Sequence, residues 1–141
     1  MSSDTYDKDF LLWTEQQVAL YRDGNTFALD MPHIMEEIEN LGREQKSIVQ
    51  TLLRDILIFL IKFEYSPIVD GRYAWIDELL ELRYKADSRF EISPSLKNYA
   101  GDLFRKAWAQ ARATSPFENI VPPDCPWSLE QALDMDFYPS R

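Results

Sequence analysis

Residues Asp30 to Tyr65 read DMPHIMEEIENLGREQKSIVQTLLRDILIFLIKFEY, and this stretch decides the fold. Apolar residues recur at Ile34, Ile38, Leu41, Ile48, Leu52, Ile56, Phe59 and Phe63 in steps of three or four, with a gap of seven across Gln45. That is the period of one helix face. A second row, Met35, Val49, Leu53, Leu57 and Leu60, widens the stripe beyond a coiled-coil seam. Every residue from Ile56 to Ile61 is apolar, so that part of the helix needs neighbours all round. A buried strand would suit the same six residues, but the chain has no second strand-like run to pair with it.

The ends of this helix are marked. Asp30 can accept from the first free N–H groups, Pro32 is tolerated in the first turn, and Glu36 and Glu37 complement the positive end of the macrodipole. Ser66-Pro67 stops it. A continuous helix would be roughly 50 Å long. Gly42 costs about 1 kcal/mol at mid-helix, which makes it the place for a bend or break.

Outward from this rod, a first helix is expected from about Asp7 to Arg22. Phe10, Leu11, Trp13, Val18, Leu20 and Tyr21 supply its buried side, and Asp23-Gly24-Asn25 ends it. A third helix should cover Ala74 to Phe90 with Ile76, Leu79, Leu80, Arg83, Ala86 or Asp87, and Phe90 inward. A fourth should start at Ser93-Pro94 and run to Thr114, with Leu96, Tyr99, Ala100, Leu103, Ala107 and Ala111 inside. Pro122, Pro123 and Pro126 then force an extended strap. Ser128-Leu129-Glu130-Gln131 has the form of a capping box and opens a short last helix. The fold expected is all-α: one domain over residues 1–141, a bundle of about four main helices around the central one. Residues 115–141 form the strap on it.

Charge and cysteine usage narrow the function. A net charge of −9 opposes nucleic acid and anionic membrane surfaces. The six-residue apolar run is too short to span a bilayer. A lone Cys125 excludes an internal disulfide, and MSSDTYDKDF lacks the features of a signal peptide. A cytoplasmic location is the expectation.

Several residues invite a chemical reading. His33, Glu36 and Glu37 share a helix face and could ligate a metal, but they include the only His of the chain. The plainer reading is acids complementing a dipole beside a solvated His, with no cofactor. Arg83, in an apolar stripe, calls for an acidic partner from Glu37, Glu36 or Asp30, with Glu37 favoured as a structural ion pair. Otherwise its stem is buried and its head solvated. Lys62 lies in the densest apolar segment, where it either snorkels or acquires a lowered pKa. Cys125 has no nearby cation to favour a thiolate and reads as an anchor for the strap. Trp13, Trp75, Trp108 and Trp127 read as core. No catalytic residue is assigned, and neither a phosphate loop nor a nucleophile elbow is present.

Tyr6…Asp9-Phe10…Trp13, Leu29-Asp30 and Glu36-Glu37-Ile38-Glu39…Leu41-Gly42-Arg43 resemble the opening of the bacterial family called domain of unknown function 29. Leu60-Ile61-Lys62-Phe63…Pro67, Trp75…Arg83, Ser93-Pro94-Ser95-Leu96 and Pro122…Cys125-Pro126-Trp127 continue the likeness over nearly the whole chain. The resemblance implies a small helical domain and no established activity. Two places depart from it. Phe59-Leu60-Ile61-Lys62-Phe63 stands where the family often has His-Leu-Leu-Lys-Trp, so no role of that His carries over. Glu78 stands where it tends to have Thr.

Taken together, these features point to a protein-interaction or regulatory module, working as a homo-oligomer or with a protein partner. The alternative is a small enzyme or a ligand or metal binder using Asp30, His33, Glu36 and Glu37. A helix longer than a compact domain needs would leave apolar surface, which marks partner sites.

Overall fold

The computed structural model describes residues 3–68 and 70–139. Its regular structure is helical, with no strand among the described residues: α1 (Ser3–Lys8), α2 (Phe10–Arg22), α3 (Met31–Tyr65), α4 (Arg72–Ile92), α5 (Ala100–Thr114) and α6 (Leu129–Leu133). Short 3-10 turns occupy Thr26–Ala28 and Pro94–Asn98. Internal contacts group the chain into two compact units, residues 1–44 and 45–141. The first turns of α3 belong to one unit and the rest to the other.

The long helix is present as the periodicity requires, and it runs through Gly42 without a break. A methyl group added at Gly42 would meet nothing within 4 Å. Gly42→Ala is therefore expected to stabilise the chain by about 0.5–1 kcal/mol, read as a higher urea midpoint. A lower midpoint would show that the helix uses the freedom of this glycine. At its far end, the Ser66 N–H still bonds the Lys62 carbonyl (3.1 Å) before Pro67 ends the ladder.

Residues 45–141 hold the core. Val49, Leu53, Ile56, Leu57, Leu60, Ile61 and Phe63 of α3 are buried with Leu79, Ala86 and Phe90 of α4. The same cluster takes in Leu103, Ala107, Trp108 and Ala111 of α5. Ala100, Ala107 and Ala111 are buried, on the inner side that their spacing predicts. Tyr99 does not follow them inward: it is half-exposed, with the Lys46 ammonium 3.7 Å from its ring centre.

The expected start of the fourth helix is corrected. The Ser93 hydroxyl makes no capping bond; its carbonyl accepts from Leu96 N–H (3.0 Å), so Pro94–Asn98 winds as a 3-10 turn and α5 opens at Ala100. The strap is fastened at several points. Trp108 donates its indole N–H to the Pro123 carbonyl (3.0 Å), and Arg112 Nε donates to the Val121 carbonyl (3.0 Å). The Trp127 ring packs edge-on against Trp108. Ser128 and Gln131 form the full reciprocal capping box of α6. Residues 140 and 141 of the expected strap lie outside the described residues.

Residues 1–44 are built differently. Asp9 accepts from Leu12 N–H (3.1 Å) and caps a new helix, so the expected single helix from Asp7 becomes α1 and α2. Gly24, at φ 77°, ends α2. Its N–H bonds the Tyr21 carbonyl (3.1 Å) and that of Asn25 bonds the Leu20 carbonyl (2.9 Å), the paired closure of a Schellman motif. Only Trp13 and Gln17 of α2 are buried. Phe10, Leu11, Val18 and Tyr21, expected inside, lie exposed. Helical spacing fixes which residues share a face, but it does not distinguish a face covered by this chain from one left open.

Candidate functional site

The polar centre of residues 1–44 is Asp30, which is held from both sides. Trp13 and Gln17, one turn apart on α2, reach its side chain and backbone respectively. The Trp13 indole N–H donates to Asp30 Oδ2 (3.0 Å), and the Asp30 backbone N–H donates to Gln17 Oε1 (2.8 Å). The carboxylate also takes the backbone N–H of His33, the cap its position predicts. His33 Nδ1 lies 2.7 Å from the same Oδ2. The Tyr6 ring of α1 stacks on the His33 imidazole, with centroids 3.8 Å apart and planes 12° apart. Its hydroxyl donates to Glu37 Oε1. Three helices are thus tied together through two carboxylates, one imidazole and one phenol.

The charges follow the geometry. The hydrogen bond to His33 holds the Asp30 carboxyl below its usual range, helped by the Trp13 N–H against partial desolvation. The hydrogen bond to Asp30 raises His33 above its ordinary 6.5. The Tyr6 phenol is pushed up to about 12, first by its bond to Glu37 and then by desolvation and the surrounding acids. A phenol so placed is a poor acid or base near neutrality.

His33 supplies a folding contribution that is complete below 6.5 and fades as pH rises through its elevated value. Asp30 supplies one that is complete above 3.8 and fades as pH falls through its depressed value. Both are whole between those limits. In an NMR titration the His33 imidazole is expected to titrate above 6.5 and to move down in Asp30→Asn. An unmoved midpoint in that variant would show that the carboxylate does not hold the proton.

The sequence-expected site residues are only partly brought together. Asp30, His33 and Glu37 join in this cluster, while Glu36 is exposed beside it. His33 and Glu37 have the partners just described. No group of three or more His, Cys, Asp or Glu among the described residues is arranged to hold a metal. An imidazole oriented by a carboxylate is two parts of a nucleophile-activating chain. No described contact extends it to a hydroxyl or thiol.

The expected Glu37–Arg83 pair is replaced on both sides. Glu37 takes the Tyr6 hydroxyl. Arg83 is fully buried and donates to backbone carbonyls: Nε to Ala132 (2.7 Å), and Nη2 to Phe137 (2.9 Å) and, more weakly, Gln131 (3.5 Å). Its guanidinium also faces the Tyr138 ring. The Gln131 and Ala132 carbonyls lie at the negative end of α6, and with the Phe137 carbonyl beyond it they serve where a carboxylate was expected.

Lys62 is half-buried over the Phe59 ring, 4.9 Å from its centre, which fits a snorkelling side chain. Burial pushes the Cys125 thiol up to about 11, which suppresses thiolate and suits an anchor.

Alongside the polar cluster runs an apolar groove of about 530 Å³ between α2 and the start of α3. Trp13, Val18, Tyr21, Met31, Ile34, Ile38 and Leu41 line it, with Gln17 and Glu37 at its polar edge. Ile38 is 57% exposed and Leu41 62%. A cleft of about 450 Å³ on residues 45–141 has a different lining, with Asp55, Glu78, Glu81 and Lys85 among its walls. Those charges are partly satisfied locally, by Lys85–Glu81 and Arg54–Asp55 pairs.

A family profile described as domain of unknown function DUF29 matches residues 5–138. The chain belongs to this DUF29 family. Neither the curated proteins nor the solved structures give a match to it. The stretches that resemble the opening of DUF29 gain a physical meaning here. Tyr6, Phe10, Trp13, Asp30 and Glu37 are separated by up to 31 positions in sequence, yet they meet in one aromatic and polar cluster. Tyr6 and Gln17 were not singled out by composition or periodicity. Tyr6 was visible only as part of the DUF29 resemblance, and Gln17 carried no signal. No helix among the described residues of this DUF29 chain is long and apolar enough to cross a membrane.

Proposed function

We propose that this DUF29 chain is a protein-interaction module that works in the cytoplasm through its first 44 residues. The observation that supports this reading is the open apolar groove between α2 and α3. The side chains of residues 45–141 close into a buried core. Ile68, Tyr73, Ile92 and Ile120 are exposed outside that core, but in residues 1–44 the exposed Val18, Tyr21, Met31, Ile38 and Leu41 line one groove. Contiguous exposed apolar surface rimmed by polar groups is the mark of a binding face.

The polar cluster fits a positioning role in this reading. It fixes α1, α2 and the start of α3 to one another, so the walls of the groove are set before a partner arrives. Tyr6 and Glu37 are committed to each other, and Asp30 to three donors, which leaves little for turnover.

Site-specific photo-crosslinking in cells tests this. A photoreactive residue at Leu41, in the groove, is expected to give discrete protein adducts. The same residue at Tyr84, exposed on α4, is expected to give none of them. Identical adduct patterns from the two positions, or none at Leu41, would remove the case for a docking face.

A further inference from the structure

We infer that the groove between α2 and the start of α3 receives a basic amphipathic helix from another protein, and not a second copy of this chain. This rests on the interaction reading above and specifies its partner.

The groove lies between two helices and is lined by apolar side chains at helical spacing: Met31, Ile34, Ile38 and Leu41 on one wall, Val18 and Tyr21 on the other. A third helix laid along such a trough offers anchors at matching three- and four-residue intervals.

Residues 1–44 contain ten acidic side chains against Lys8, Arg22 and Arg43, a net −7 of the chain's −9. The other 97 residues carry fourteen against twelve. The acidity is therefore concentrated on the unit that holds the groove. The wall itself carries Arg22 and Glu37, one charge of each sign, and the excess acidity lies around it: Glu15 stands one turn before Val18 on α2 and Glu44 one turn after Leu41 on α3. Arg43 is already engaged with Glu39 and Asn40. Pairing this face with itself would bring together two units of net −7 each, with the Glu15 and Glu44 side chains of both copies flanking the seam, where a Debye length of about 8 Å leaves like charges poorly screened. Like-charge juxtaposition of that kind selects against a partner, whereas Lys and Arg flanking an apolar stripe would be drawn to the rim.

The test uses the full chain and two synthetic amphipathic helices, one of Leu and Lys and one of Leu and Glu, followed by fluorescence anisotropy. The Leu/Lys helix is expected to bind and the Leu/Glu helix not to bind. A neutral double variant, Ile38→Ser with Leu41→Ser, should weaken binding at least about tenfold by removing apolar contacts while leaving charge unchanged. Glu15→Gln with Glu44→Gln should weaken it and flatten its salt dependence. Both pairs are exposed, so unchanged circular dichroism is expected and is checked first.

Three results would overturn the proposal. Equal binding of the two helices would remove the charge argument. Binding unaffected by the serine pair would place it on the acidic surface at large. A dimer in sedimentation equilibrium that the serine pair dissolves would make a second copy the occupant. In that last case the crosslinking at Leu41 still reports an interaction face, so the broader reading survives where this one fails.

Discussion

Replacing Arg83 with Met is expected to lower the free energy of unfolding by about 3–5 kcal/mol, read from urea denaturation. Two effects oppose each other. Burial of a fully enclosed guanidinium is costly, and Met relieves that cost. Met also strands the carbonyls of Ala132 and Phe137, which Arg83 now satisfies at 2.7 and 2.9 Å. Charge-assisted bonds of this kind contribute about 1.5–3 kcal/mol each. A backbone carbonyl, unlike a partner side chain, cannot be redesigned away, so the loss outweighs the relief. Desolvation pushes the Arg83 pKa down, with Tyr138, Asp134 and Asp87 pushing it back up. The guanidinium stays charged throughout.

The damage should be local before it is global. Arg83 grips the end of α6 and the segment that follows it, where Tyr138 rests 5.4 Å from the Phe63 ring. Loss of the grip should expose the chain beyond Leu133 to protease at denaturant concentrations that leave α3 folded. Arg83→Lys, which keeps the charge but not the fork, should fall between the two. A Met variant as stable as the parent would show that those carbonyls find water instead and that the strap is held by its aromatic contacts alone.

Arg83 also shows where sequence reasoning reaches its limit. Its place on the inward face of α4 is legible, because Leu79, Ala86 and Phe90 share that face at helical spacing. Its need for a partner is legible from the cost of burying a charge. The partner is not, because backbone carbonyls have no residue signature and any acid in the chain competes for the assignment. The long α3 lies at the other extreme. Its apolar run and proline stop make the helix itself legible, and only its continuity through Gly42 had to come from the structure. In α2 the apolar residues were visible, but the absence of cover over them was not. The start of α3 gave the same difficulty in reverse: Asp30, His33 and Glu37 could be marked as a polar group, but their partners Tyr6, Trp13 and Gln17 arrive from other helices.

Trp13→Ala is expected to unfold α1 and α2 while residues 45–141 keep their structure. Removing a buried indole costs about 3–5 kcal/mol through lost transfer energy and the cavity left behind. Within residues 1–44 only one other described side chain, Gln17, is buried, so little remains to absorb that loss. The variant also deletes the N–H that Asp30 accepts and the edge against which Tyr6 packs, 4.9 Å between ring centres. The substitution therefore loosens the His33 stack as well. Hydrogen exchange should show α1 and α2 unprotected, with Leu53 to Ile61 as slow as in the parent. Trp13→Phe retains a ring but not the donor, and should give intermediate protection. Loss of protection at Leu53 to Ile61 would mean that the two units fold as one. Retained protection of α2 would mean that the aromatic and polar cluster does not hold the groove walls in place.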